Sequence, residues 1–502
     1  MFDKILVANR GEIAVRVMRT LREMGIASVA VYSDADKGAL HVQCADQAVH
    51  IGDSEPASSY LNIGKLVDAA IETGAQAIHP GYGFLSENPE FADAVTKAGL
   101  VFIGPTSDAM ARLGDKTNAR KMMLQSGVPV IPGMSDPEAD PARLAEAADK
   151  TGYPVLVKAA SGGGGKGMRV VEHPEDLAKA ARIAAGEAGA AFGNDAIYIE
   201  KYLDRPRHVE FQILADHHGN IVHLFERECS IQRRHQKIIE ETPSPGIDAD
   251  LRKRMGDAAI SAARAAGYTN AGTVEFLVDR ESNFYFLEVN TRLQVEHPIT
   301  EMCLGLDLVR LQVQIAAGAP LPFSQGDVCP RGHAIECRIY AEDPVSGFMP
   351  SPGKVVAAGT PQGPGVRYDS GIFAGADVPV QYDPIMGKLI VYAHDRDTAI
   401  ARMVRALEEC VVLGVRTSIE FMIDLLKSEP FGHGDTHTGF IEDHMSGWVP
   451  DRDSDLWALV GDAVERSAHN AAVGVPKGSV AGDDAFSPWK RLGRWDLGGR
   501  GG

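Results

Sequence analysis

The sequence predicts a multidomain protein of mixed α/β and α+β class. It reads as an amino-terminal parallel α/β domain, a central α+β region containing a separate compact unit, and a carboxyl-terminal, mostly antiparallel β region with helices. Three observations lead there. The chain has 502 residues, enough for roughly three domains and more than one core. Strand-like and helix-like patterns alternate at the amino-terminal end, as in a parallel sheet flanked by helices. Farther on, polar and apolar residues alternate with period two, as expected of strands with one face in a core and one in a site.

In chain order, Ile5–Ala8 reads as a strand, Ile13–Met24 as an amphipathic helix, and Ser28–Tyr32, Leu66–Ile71, Ala77–His79 and Val101–Ile103 as further pieces of the alternating pattern. The turn after the first strand, Asn9-Arg10-Gly11-Glu12, is not G-x-G-x-x-G, so the dinucleotide fingerprint is missing. Gly81-Tyr82-Gly83-Phe84 follows His79-Pro80 at the carboxyl end of a strand, where a ligand edge and a plain turn fit equally well. The first domain is placed at 1–114. From Gly114 the character changes: a helix over Lys116–Ser126, then a proline-rich connection through Gly133. A compact unit follows, with helices near 141–150 and 174–189, strands at Tyr153–Ala159, Met168–Val171 and Ala196–Tyr202, and a glycine loop between the first two strands. Short linkers at both ends make this unit, about 133–203, a candidate mobile lid. Strands at His208–Ala215, Ile221–Glu226, Thr273–Val278 and Phe284–Asn290 and helices near 250–266 and 307–316 complete a central region placed at 115–330. The third region, 331–447, opens with Ala334–Tyr340, continues through Pro- and Gly-rich turns, and is closed by a helix over about 397–410. The polar tail, 448–502, ends in Gly498-Gly499-Arg500-Gly501-Gly502 and is expected to be poorly ordered.

Composition narrows the function. Fifty basic against 68 acidic residues give a net charge of -18, which disfavours a sequence-independent grip on nucleic acid or on an anionic membrane. The six cysteines, Cys44, Cys229, Cys303, Cys329, Cys337 and Cys410, form no C-x-x-C pair and read as reduced, buried thiols. Met1–Ala8 does not read as a secretory signal, and no apolar run has membrane-spanning length, so the expectation is a soluble, cytoplasmic protein.

Charged residues inside apolar strands point to chemistry. In Leu287–His297 a period of two places Glu288, Asn290 and Arg292 on one face, and Glu275 lies in the strand-like Thr273–Leu277. Two carboxylates and an amide oxygen are hard ligands suited to Mg²⁺ or Mn²⁺ held against phosphates; ordinary ion pairs on a solvated strand are the alternative. Arg292 offers a fork to a second, planar anion. Ser161–Gly167 carries four consecutive glycines, Gly162, Gly163, Gly164 and Gly165, whose N–H groups can approach phosphate closely. It is not a Walker A loop, because Lys166 is followed by glycine and no Ser or Thr stands ready for the metal; a flexible linker is the other reading. Lys158 projects from the strand just before this loop, and Lys116 opens a helix after Gly114-Asp115, so both can add cations. Glu200-Lys201-Tyr202-Leu203 ends a strand whose backbone can read an adenine edge. The basic run Arg233–Lys237, flanked by acidic residues on both sides, suits an anion clamp better than a nucleic-acid patch.

Taken together, these residues resemble biotin carboxylase, the ATP-grasp component of biotin-dependent carboxylases. The likeness rests on six long motifs in the same order, Lys4–Ile13, His79–Asn88, the glycine loop, Arg233–Lys237, Glu288–His297 and Glu336–Ile339, and covers about residues 1–445. The resemblance implies an ATP-grasp centre with a lid. Glu275, Glu288 and Asn290 would hold the divalent ions, two being expected. ATP would be surrounded by Lys116, Lys158, the glycine loop, Glu200, Lys201, Tyr202, Leu203, His208, Gln232, His235 and Leu277. Lys237, Arg292, Gln294, Val295 and Glu296 would bind bicarbonate, with Glu296 as general base. Arg338 would stabilise the biotin enolate, with Tyr82 near the ureido ring. Carboxyphosphate is the implied intermediate. A biotin carboxyl carrier protein, carboxyltransferase subunits and a second copy of the chain are the implied partners, and acetyl-CoA carboxylase is the favoured context over a propionyl-CoA, other acyl-CoA or pyruvate carboxylase. No Ala-Met-Lys-Met segment for a biotinyl lysine is present, and Met386-Gly387-Lys388 reads as structural. The carrier is therefore expected on another chain, unless this one is a piece of a longer enzyme; Ser487-Pro488-Trp489 does resemble the start of the region that follows the carboxylase part in some acyl-CoA carboxylases. Another ATP-grasp ligase, such as a carbamoyl-phosphate synthetase, would share the metal and lysine set without a use for Arg338. A nucleotide-binding scaffold subunit would use ATP without turnover.

Overall fold

The computed structural model describes residues 1–134, 136–159, 168–192 and 196–451. Residues Met1–Trp448 make one compact unit, and a second begins at Val449, of which only residues 449–451 are described. The glycine loop with Gly162–Gly165 and the tail from 452 lie outside the described residues.

The first apolar run becomes β1 (Lys4–Val7), joined by β2 (Ala27–Ser33), β3 (Gln47–Gly52), β4 (Ala77–His79) and β5 (Val101–Phe102). They form a parallel sheet in the order β3-β2-β1-β4-β5. Ile5 and Val7 enter one hydrophobic core and Leu6 and Ala8 another, the double burial expected of a parallel sheet covered on both faces. Helix Gly11–Glu23 returns over the first core with Ile13, Ala14, Val17, Met18 and Leu21 on its buried face. The segment at Leu66–Ile71 is part of helix Ile63–Thr73, started by the Asn62 side chain accepting the Lys65 N–H and stopped at Gly74. Several elements did not show in the sequence: helices Leu40–Cys44, Pro89–Lys97 and Ser107–Gly114, and β3, an edge strand whose exposed Gln47, Ala48 and His50 blur the apolar pattern.

The compact central unit is a three-stranded antiparallel sheet, with β6 (Val155–Ala159) between β7 (Arg169–Val171) and β8 (Ile197–Lys201). Helices Pro141–Thr151 and Pro174–Phe192 bring Leu144, Ala148, Leu177 and Ala181 onto Val155, Val157, Ile197 and Ile199, giving the unit a core of its own.

Apart from short two- and three-residue pairings in the carboxyl-terminal region, the strands that follow are β9 (Arg207–Ala215), β10 (Ile221–Arg233), β11 (Gln236–Thr242), β12 (Asn270–Val278), β13 (Phe284–Asn290), β14 (His333–Tyr340), β15 (Val366–Ser370) and β16 (Ile385–Ala393). They build one antiparallel sheet ordered β13-β12-β9-β10-β11-β14-β16-β15. Central and carboxyl-terminal strands thus share a single ladder, joined where Glu240 on β11 pairs with Glu336 on β14. Val209, Phe211 and Ile213 on β9 and Val274, Phe276 and Val278 on β12 pack against helix Ala249–Ala266. The alternation along His208–Ile213 therefore turns His208, Glu210 and Gln212 to the opposite face.

Three departures from the sequence reading matter for the site. The basic run forms a β-hairpin, in which β10 continues through Arg233, Arg234 and His235 turn with φ of 48° and 67°, and β11 returns. Its dense charge hid a strand with apolar residues only at Ile238 and Ile239. A bulge at Leu287 separates the pairs Glu275–Glu288 and Phe276–Phe286, so strict alternation fails there. Helices Ile419–Lys427, Glu429–His433 and Phe440–His444 add to the expected helix, observed at Arg396–Glu409, over the carboxyl-terminal core. All six thiols are free, but Cys329 is exposed and Cys44 only partly covered, against the expectation of burial throughout. Among the described residues no helix is long and apolar enough to cross a membrane.

Candidate active site

Glu275 stands at the centre of the polar face. Its strand register opposes Glu288 on β13 and Glu210 on β9, and cross-strand neighbours share a face. One Glu275 oxygen accepts from Lys237 Nζ at 2.9 Å, Asn290 Nδ2 at 2.8 Å and Gln294 Nε2 at 2.9 Å, while the other lies 3.0 Å from His208 Nε2. Burial works against its charge, yet Lys237 and then His208 hold this carboxyl well below the usual carboxylate range. Of the expected magnesium or manganese set, Glu275 and Glu288 are register partners, while Asn290 on the same strand as Glu288 turns its amide nitrogen to Glu275 and its oxygen to Arg292. His208, Glu210 and Glu275 offer ligand atoms within 4.8 Å of one another, and so do Glu210, Cys229 and Glu296. Burial pushes the Cys229 thiol well up.

Lys237 ties the two halves of the site. From the start of β11 its ammonium reaches Glu210 Oε2, Glu275 Oε1 and, at 2.7 Å, Glu296 Oε1. Burial opposes its charge, but Cys229, Glu210, Glu275 and Glu296 push its pKa well up. The other Glu296 oxygen accepts from Arg338 on β14 at 3.1 Å. Although burial raises it, Lys237, Arg338 and Arg227 hold the Glu296 carboxyl below the usual range. Arg338 also donates to Glu240 Oε1 at 2.6 Å; burial dominates at Glu240, whose carboxyl is pushed up to about 7 despite that guanidinium.

Arg292 follows the end of β13 and donates through Nε to Glu87 at 2.8 Å and through a terminal nitrogen to Asn290 Oδ1 at 2.9 Å. Gln294 is doubly engaged, to Glu275 and from Arg227, and the Val295 carbonyl accepts from Lys388. Leu277 opposes His208 across the β9–β12 ladder. Gln232 is buried beside Lys237 in the β10–β11 ladder, and His235 stands exposed in the hairpin turn. Tyr82 donates its hydroxyl to Glu12. On the small sheet, Lys158 pairs with Glu200, and the Lys201 ammonium donates to the carbonyls of Gly152 and Tyr153 at 2.9 and 3.0 Å. The N–H groups of Lys201 and Tyr202 donate to the carbonyls of Pro132 and Pro154. Lys116 begins helix Lys116–Gln125.

Sequence reasoning missed the scaffold beneath these groups. Arg227, fully buried on β10, donates five hydrogen bonds, to Glu210, Gln212, Thr300, Thr273 and Gln294. Glu210 could have been found from the polar face of His208–Ile213. Arg227 lies in a charged run with no period to mark it.

A large antiparallel sheet carrying paired carboxylates and Lys237 on one face, with a small three-stranded sheet that holds Lys158 and Glu200, defines an ATP-dependent ligase of the ATP-grasp class. Family models match over almost the whole compact unit: "Biotin carboxylase, N-terminal domain" at residues 1–110, "Carbamoyl-phosphate synthase L chain, ATP binding domain" at 115–324 and "Biotin carboxylase C-terminal domain" at 336–443. The chain is 53% identical over 442 residues to the biotin carboxylase of Nostoc sp., covering 88% of this chain and 99% of that one. It is also 53% identical over 447 residues to a pyruvate carboxylase subunit of Methanothermobacter thermautotrophicus, covering 89% and 91%. Among solved structures, the biotin carboxylase domain dimer of Hydrogenobacter thermophilus 2-oxoglutarate carboxylase, in complex with MgADP, ADP and bicarbonate, matches with a TM-score of 0.84 at 44% identity over 88% of this chain and 98% of that one. The chain belongs to the biotin carboxylase family.

Proposed function

We propose that the chain carboxylates biotin held on a separate carrier protein, using ATP and bicarbonate through carboxyphosphate, as the first half-reaction of an acetyl-CoA carboxylase. The observation that carries this reading is the Lys237 ammonium shared between Glu275 and Glu296, with Arg338 on the far oxygen of Glu296. It puts a phosphate-facing carboxylate, an anion-facing carboxylate and a guanidinium within one connected cluster. In this reading Glu296 removes the proton of bicarbonate. A carboxylate clasped by two cations is a weak base, so Glu296 gains proton affinity when bicarbonate and the phosphates draw Lys237 toward themselves. Arg292 and Lys237 offset the charge of the deprotonated anion, whose oxygen attacks the γ-phosphoryl group. Carboxyphosphate then yields CO₂ and phosphate, the phosphate takes the N1′ proton of biotin, and the enolate, stabilised by Arg338 beside Tyr82, adds to CO₂. A magnesium or manganese ion at Glu275, Glu288 and Asn290 would neutralise the phosphates.

Lys116, Lys158 and the glycine loop serve the phosphates in this reading. Glu200–Leu203, His208, Gln232, His235 and Leu277 enclose the adenosine. The small sheet closes as a lid against water, which would hydrolyse the intermediate. The division 1–114, 115–330 with a lid at about 133–203, and 331–447, a homodimer, a biotin carboxyl carrier protein, carboxyltransferase subunits and a cytoplasmic location belong to the same proposal. Equal identity to a pyruvate carboxylase component favours pyruvate as the second candidate acceptor. Purification from the native cells identifies the carrier and transferase that travel with the chain. The chemistry is tested by ADP release: Glu296→Ala should keep ATP binding and lose bicarbonate-dependent cleavage, and Arg338→Ala should keep ATP binding and lose carboxylation of free biotin. Normal cleavage in the first or normal carboxylation in the second overturns the assigned role.

A further inference from the structure

Among the described residues one ammonium is fully buried and outside the roles above. Lys388 lies on β16, opposite Arg338 on β14 and Asp369 on β15. Its Nζ donates to the Val295 carbonyl at 2.7 Å, lies 3.2 Å from Glu12 Oε1 and sits 5.5 Å from the centre of the Tyr82 ring. The Tyr82 hydroxyl donates to the same Glu12 oxygen. Glu12 belongs to the first helix, Val295 to the loop before Glu296, and Tyr82 to the turn after β4. One side chain thus touches the amino-terminal helix and the segment carrying the general base, and lies within reach of the turn assigned to biotin.

We propose that Lys388 is a positioning residue that fixes both substrate subsites from beneath, holding the Val295–Glu296 peptide on one side and, through Glu12, the phenol of Tyr82 on the other. The inference rests on the reading that gives Val295 and Glu296 to bicarbonate and Tyr82 to biotin. Carbonyl and N–H of a trans peptide point in opposite directions, so an ammonium that holds the Val295 carbonyl also fixes the direction of the Glu296 N–H and the start of helix His297–Leu304. A buried ammonium persists only when its charge is met, and Glu12 meets it directly while Asp369, its carboxyl held low against burial by Arg367 and Lys388, faces it from β15. An aliphatic side chain of the same length would fill the space and hold neither group.

The test uses the full chain with free biotin in steady-state ADP-release assays. Lys388→Met should raise KM for bicarbonate and for biotin each by about tenfold or more, with KM for ATP changed less than roughly twofold. Lys388→Gln, which keeps a donor for Val295 without the charge, should leave KM for bicarbonate near the parent and raise only that for biotin. Glu12→Met should likewise raise KM for biotin, because it removes the acceptor of the Tyr82 hydroxyl. Folded Lys388 variants with both substrate KM values unchanged, or a Glu12→Met chain with unchanged KM for biotin, overturn the inference. If Glu296→Ala and Arg338→Ala behave as proposed while these variants do not, the positioning role alone fails. If Glu296→Ala retains normal cleavage, the reading beneath it fails instead.

Discussion

Replacing Arg227 by methionine removes every donor of the most heavily bonded side chain in the site while keeping much of its volume. The guanidinium is wholly buried and makes five hydrogen bonds, one of them to the equally buried Glu210 at 2.6 Å. Taking one partner from a buried, hydrogen-bonded ion pair costs about 3–5 kcal/mol, mostly because the other charge stays behind unpaired. Here Lys237 still meets the second Glu210 oxygen, so the lower end, about 3 kcal/mol, is expected. Gln294 also loses the donor that aims its amide at Glu275, and a misplaced anion subsite should lower kcat/KM for bicarbonate by about a hundredfold, or roughly 2.7 kcal/mol. Urea unfolding monitored by circular dichroism reads the first quantity and ADP release the second. Adding Glu210→Gln should recover at least about 1 kcal/mol, because a neutral amide no longer strands a charge. A loss below about 1 kcal/mol for Arg227→Met, or a double variant weaker than the two single losses added, would refute the idea that the pair is held by mutual neutralisation.

Two further outcomes follow from the same geometry. Glu87 grips Arg292 and the Thr291 N–H but is itself partly exposed, so Glu87→Ala should cost less than about 1 kcal/mol of stability and raise KM for bicarbonate by about tenfold, read by titrating bicarbonate at saturating ATP. Burial holds His41, His79 and His223 down to about 4. Their folded pKa lies below the unfolded value, so the unfolded chain binds more protons from about pH 6.5 down to 4, and stability is present above that window and lost as pH falls through it. His79 suits the neutral form, accepting the Gly81 N–H at Nδ1 and facing Gln312 Oε1 with Nε2. His79→Gln should therefore flatten the fall in unfolding free energy between pH 6.5 and 4.5 by about 1 kcal/mol per pH unit, and an unchanged slope would remove this imidazole from the account.

What the sequence disclosed and what it hid divide along a physical line. Charged residues interrupting apolar strands at period two, Glu275, Glu288, Asn290 and the His208–Gln212 face, were legible because alternation assigns them a side of the sheet before any fold is known. The alternating amino-terminal elements were legible for the same reason, and β3 was lost because an edge strand need not be apolar. Hidden residues are those whose meaning is a partner far along the chain. Arg227 reaches Thr300 and Gln294, Glu87 reaches Arg292, and Lys388 reaches Glu12 and Val295, separations that no local period encodes. The hairpin at Arg233–Lys237 shows the two effects in one segment. Its charge density suggested an anion clamp and at the same time masked the strand that carries Lys237 to Glu296. The cluster therefore depends on sheet register as much as on residue type: were β11 to slip by one residue against β10, Lys237 would turn to the other face, and Glu210, Glu275 and Glu296 would lose their common cation together.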